Sequence, residues 1–155
     1  MRVRNLMSCS ITALLAAGAA VPAIGADCSG YDVLVTQSAD TIDVGGGHTA
    51  TVIRWWSILT TDDLKSPYNL ATGECQGSLL TTPDGKTQAT GYCARRDKDK
   101  DTQSIQWTIA PGAEKGEWRA TGGTGKFAGR TDSGWFQGVN ADGKMSISRW
   151  GGKCR

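Results

Sequence analysis

Cys75-Gln76-Gly77-Ser78-Leu79-Leu80-Thr81-Thr82-Pro83-Asp84-Gly85-Lys86-Thr87-Gln88-Ala89-Thr90-Gly91-Tyr92-Cys93 reads as one β-hairpin. At its centre, Thr82 to Lys86 places proline at the second turn position and glycine where a positive φ is needed, a strong turn signal. A three-residue loop closed by Thr82 and Lys86 sets Cys75 opposite Cys93. Counting outward from the closing pair, this is a non-hydrogen-bonded position, where cross-strand side chains approach most closely. The spacing therefore predicts a Cys75–Cys93 disulfide, and with it a β architecture and an oxidising compartment.

The N-terminus points to the same compartment. Arg2 and Arg4 precede an apolar run from Ile11 to Ala20, followed by Pro22 and the small residues Ala23 to Ala26. This is the pattern of a secretory signal peptide, expected to be cleaved from residues 1–26. The apolar run is too short for a transmembrane helix. Cleavage would remove Cys9 and leave Cys28, Cys75, Cys93 and Cys154. If the hairpin bridge forms, the second is Cys28–Cys154, tying the first mature residues to the last. The formal net charge of +2 would fall to zero with the loss of Arg2 and Arg4. No basic surplus then recommends nucleic acid or an anionic membrane as partner. A periplasmic or secreted location is expected, without membrane insertion after cleavage.

Residues 27–155 suffice for one domain with its own core. No stretch sustains helical periodicity. Strands are expected near Tyr31–Thr36, Thr49–Thr60, Thr72–Thr81, Lys86–Arg95, Thr102–Ala110, Gly116–Ala120, Gly134–Val139 and Lys144–Trp150, with a further short one around Thr41–Val44. Ile105, Trp107 and Ile109 alternate cleanly onto one face. Asn140 to Lys144 repeats the three-residue turn pattern and closes the last two strands. About eight short antiparallel strands joined by hairpins predict an all-β fold, a single up-and-down barrel whose closure removes exposed edges.

Glycines inside strands, at 77, 91, 134 and 138, mark the bends and close approaches of a small barrel. Gly122-Gly123-Thr124-Gly125-Lys126-Phe127 resembles the glycine-rich motif late in the barrels of dirigent proteins and, more loosely, allene oxide cyclases. The resemblance covers roughly residues 116–138 and is architectural elsewhere. It implies an eight-stranded antiparallel barrel whose cavity holds a reactive hydrophobic small molecule and steers its cyclisation or coupling. The polar pocket residues of those families lie outside the motif and match no particular position here. The motif itself is expected to be structural, a tight bend with Phe127 plugging one end of the barrel. It lacks both the spacing and the following helix of a phosphate-binding loop.

Other constellations point to little chemistry. Asp97, Asp99 and Asp101 alternate as in a calcium loop, but Thr102 and Thr108 stand where an EF-hand needs Gly and Glu. His48 is the sole histidine, so no histidine-based zinc cluster can form, and no serine is placed beside it for a triad. Asp62-Asp63 and Glu114/Glu117 read as solvated turn carboxylates. No metal and no cofactor are expected.

Six tryptophans, at 55, 56, 107, 118, 135 and 150, are the strongest functional cue. Arg54-Trp55-Trp56 lies in a strand apolar on both faces, one of which meets the barrel interior and the other a loop or partner subunit. Trp56 or Trp55, with Trp107 and Tyr92, is expected to line a cavity, with Arg54 and Arg95 orienting a carboxylate or hydroxyl. Three functions follow: an exported barrel binding a small hydrophobic or aromatic molecule, a cofactor-free cyclase, isomerase or coupling guide, or an interaction module using exposed tryptophans. The residues alone do not decide between binding and catalysis, and they leave a homo-oligomer open.

Overall fold

The computed structural model describes residues 26–154. The signal segment expected over residues 1–26 therefore lies, apart from Ala26, outside the described residues. Eight strands follow in order: β1 (Ala26–Gly45), β2 (His48–Thr61), β3 (Ala71–Thr81), β4 (Thr87–Arg96), β5 (Thr102–Ile109), β6 (Gly116–Gly123), β7 (Ser133–Asp142) and β8 (Met145–Cys154). Each pairs antiparallel with its sequence neighbour, and β8 returns to β1, so the barrel is closed. Among the described residues the one helical element is a single 3₁₀ turn, Gly125–Phe127.

The hairpin that decided the fold has the register its turn dictates. Thr82 N–H donates to Lys86 O, Thr81 pairs with Thr87, and Cys75 lies opposite Cys93 with Cα atoms 4.0 Å apart. Cys28 and Cys154 join β1 to β8, Cα to Cα 5.8 Å. Two expectations need correction. The turn over residues 140–144 has two loop residues rather than three, Gly143 and Lys144, with Asp142 paired to Met145. The separate short strand at Thr41–Val44 is the outer half of β1, which runs unbroken through a bulge between Thr36 and Ser38. The extra residue, Gln37, lets one strand bend without ending.

Parity then fixes the interior. Along β4, Ala89, Gly91, Cys93 and Arg95 are buried while the residues between them are exposed. Along β5, Gln103, Ile105 and Trp107 are buried. In register, Gly77 of β3 meets Gly91, and Gly91 meets Trp107. A side chain at either glycine would overlap the Trp107 indole, so the glycine pair is what lets that ring lie against the wall.

The two ends of the barrel differ. At one end the connections β2–β3 and β6–β7 fold across the opening. Tyr68 and Phe127 are wholly buried there, with ring centroids 5.3 Å apart, and Tyr68 also meets Trp150 edge-on at 6.3 Å. The Tyr68 hydroxyl donates to Asp132, which also accepts from Arg130 Nε at 2.7 Å. At the other end lie the four tight hairpins, and side chains become progressively exposed towards Val139 and Ala141.

Candidate functional site

The barrel encloses a cavity of about 540 Å³, floored by Tyr68 and Trp150 and reaching Val139 and Ala141 near the β7–β8 hairpin. Its walls are mainly aromatic and aliphatic. Trp107 stands at the centre of one arc, edge-on to Trp55 at 5.9 Å and to Phe136 at 6.1 Å. Beside Trp107 in register on β6, Trp118 meets Trp150 of β8 edge-on at 6.1 Å. Those two spend their indole N–H groups on wall carbonyls, Trp118 on Gly151 O and Trp150 on Thr60 O.

Polar groups are concentrated in one belt. Ser57, Gly73, Arg95 and Gln103 follow one another in register across β2, β3, β4 and β5. Gly73 offers no side chain, so Arg95 reaches across β3: its Nε donates to Ser57 Oγ at 2.7 Å and its Nη2 to Asp32 Oδ2 at 2.5 Å. Ser57 Oγ donates to Asp32 Oδ1 at 2.6 Å, closing a three-residue ring. The same Nη2 lies 3.5 and 3.4 Å from the sulfurs of Cys75 and Cys93. Burial pushes the Asp32 carboxyl above the ordinary aspartate range, while the Arg95 charge and the Ser57 hydroxyl pull the other way. Gln103, 4% exposed, also lines the cavity, and its Oε1 has no hydrogen-bond partner.

Of the residues singled out in the sequence, Trp55, Arg95 and Trp107 line this cavity. Arg54, Trp56 and Tyr92 do not. They lie on the outer wall, Trp56 42% and Tyr92 59% exposed, with Arg54 paired to Glu74 at 3.1 Å. The reason is the two-residue period of a strand: with Trp55 inward Trp56 must face out, and with Cys93 inward Tyr92 must. Arg95 faces in, but its guanidinium is occupied by Asp32 and Ser57 rather than held ready for a ligand carboxylate. Missed by the sequence reading were Asp32, Ser57, Tyr68, Gln103 and Trp118. For Gln103 a signal existed, because it shares the face of Ile105 and Trp107.

The glycine-rich segment sits at the closed end, beyond the cavity. Phe127 is 1% exposed beneath Tyr68, and Gly125 takes φ +50 with no room for a side chain beside the Asp101 carboxylate. Lys126 reaches back to the β4–β5 turn, 2.6 Å from Asp97 and 2.5 Å from Asp99. Those contacts hold Asp99 below the ordinary carboxylate range and raise Lys126. An ammonium group thus occupies the place where the alternating carboxylates would gather a cation. Among the described residues no cluster of His, Cys, Asp or Glu is arranged to hold a metal ion.

No family model and no curated protein matches the sequence. Solved structures do share the fold. One pterocarpan synthase dirigent protein superposes with a TM-score of 0.53 at 14% identity, over 83% of this chain and 93% of its own. A second gives 0.51 at 15% identity, over 83% of each chain. A pyocyanin demethylase gives 0.49 at 16% identity, over 82% of this chain and 99% of its own. The fold is that of the dirigent barrels.

Proposed function

We propose that this chain is an exported, disulfide-stapled barrel that binds a small apolar, aromatic molecule in its interior. The cavity carries this reading: about 540 Å³ falls inside the range of roughly 300–1,000 Å³ usual for small-molecule sites. Trp55, Trp107 and Phe136 offer flat apolar surfaces, and the charged groups on the wall are already paired with each other. Arg95 would act by shaping and neutralising the site rather than by gripping an anion. Residues 1–26 would direct export and be cleaved on translocation, leaving both disulfides to form outside the cytoplasm.

The test is a thermal-shift and calorimetric screen of the folded protein against neutral aromatic compounds of two and three rings. Binding that raises the melting temperature, and is lost when Ala89→Phe narrows the cavity, supports the reading. A screen without any shift overturns it. N-terminal sequencing of the exported protein checks the cleavage site.

One observation favours a catalytic second reading. Asp32 is a buried carboxyl on the cavity wall, and burial raises it above the ordinary aspartate range, a perturbation of the kind found among groups that transfer protons in active sites. Two of the proteins that share the fold are named pterocarpan synthases. A cofactor-free cyclase, isomerase or coupling guide would hold its substrate in one folded shape beside that carboxyl. Turnover abolished by Asp32→Asn, with ligand binding kept, would favour this reading over simple binding.

A further inference from the structure

We infer that Gln103 selects the ligand: the cavity is built for a neutral aromatic molecule that carries a hydroxyl or N–H donor at one end. This rests on the binding reading above and deepens it. Asp32, Arg95 and Ser57 satisfy one another in a closed ring, with the cation and the carboxylate 2.5 Å apart. The belt therefore offers no net charge to an acid or an amine, and an unpaired ligand charge would be buried at high cost.

Gln103 differs from its neighbours. It stands beside Arg95 in register, 4% exposed, yet its Oε1 meets no donor. Buried carbonyl oxygens of this kind nearly always have a partner, because losing water without replacement is costly. Its side chain lines the cavity towards the closed end, on the same strand face as Ile105, Trp107 and Ile109, which succeed it towards the hairpin end. A ligand would enter with its donor leading. Its ring system would then rest against the continuous arc of Trp55, Trp107, Trp118, Phe136 and Trp150. Ligands of the same outline that lack the donor would leave Oε1 unmatched.

Three probes of one shape test this by isothermal titration: 2-naphthol, 2-methoxynaphthalene and 2-naphthoate. The expected result is 2-naphthol bound about tenfold or more tightly than the ether, the usual penalty for an unmatched buried acceptor, with naphthoate weakest. Gln103→Leu should bring naphthol and ether to equal affinity without abolishing the binding of either. Gln103→Met, closer in shape, serves if the leucine variant folds poorly. Equal binding of naphthol and ether by the unaltered protein overturns this inference and leaves the cavity reading standing. So does tightest binding of naphthoate. Failure of all three to bind overturns both.

Discussion

Truncating Asp32 alone should harm this barrel far more than replacing Asp32 and Arg95 together. Their side chains are 13% and 4% exposed, and the pair is 2.5 Å long. Asp32→Ala strands the Arg95 guanidinium inside the barrel with a hydroxyl and two disulfide sulfurs for company, none of them negative. Removing one partner of a buried pair costs about 3–5 kcal/mol, roughly a 10–20 °C fall in melting temperature for a domain of this size. Asp32→Leu with Arg95→Met fills similar volume without charge and should fall within about 2 kcal/mol of the unaltered protein. Urea denaturation at neutral pH with disulfides intact, run on Asp32→Ala and on Asp32→Leu, Arg95→Met and their double, measures the cost of the stranded charge and the coupling. An Asp32→Ala variant within about 1 kcal/mol of the parent would mean that water reaches the guanidinium. A double variant as unstable as the single would mean that lost packing, not a stranded charge, sets the cost.

Three further outcomes are expected. The Asp62 carboxyl, hydrogen-bonded by Arg149 and Ser29, titrates at about 2. Its folded value is below the unfolded one, so its contribution is present above about pH 4 and is lost as pH falls towards 2. Melting curves of Asp62→Asn and the parent should therefore differ at neutral pH and converge near pH 2, and a constant difference would contradict this. Converting Cys75 and Cys93 to alanine opens a loop with a sequence separation of 18, worth about 3 kcal/mol in urea unfolding. Non-reducing peptide mapping should link 75 to 93 and 28 to 154. Phe127→Ala removes a fully buried ring from the closed end and should cost about 3–5 kcal/mol by thermal or urea denaturation, whereas a loss below 1 kcal/mol would mean the plug is dispensable.

The architecture was legible because hairpin turns write their register locally. Pro83-Asp84-Gly85 fixes ten pairs from Thr81↔Thr87 to Thr72↔Arg96 without reference to the rest of the chain. The inner face was legible only where something marks it. On β2 both faces carry apolar residues, so nothing local chose Trp55 over Trp56. On β4 the mark was present, since an inward Cys93 makes Arg95 inward and Tyr92 outward. What no local pattern could supply was the partner of Arg95. Asp32 lies 63 positions away, and it meets Arg95 only because β1 closes against β2 and Gly73 leaves the intervening strand bare.

That closure also explains how the cavity acquires its polarity. A barrel sealed at one end by Tyr68 and Phe127 and stapled by Cys75–Cys93 must place some wall positions in surroundings with little water, and any polar residue there needs a partner from the protein or from a ligand. Arg95, Asp32 and Ser57 resolve the requirement among themselves, and the disulfide sulfurs fill the remaining side of the guanidinium. Asp132 resolves it at the closed end with Tyr68 and Arg130. Gln103 stands directly beside Arg95 and does not. Replacing it by leucine would make the belt self-sufficient, and stability would then rise or hold while discrimination between ligands fell. A leucine variant at least as stable as the parent that no longer separates naphthol from its ether would identify binding, rather than folding, as what sets the residue at 103. A leucine variant that is less stable would refute this.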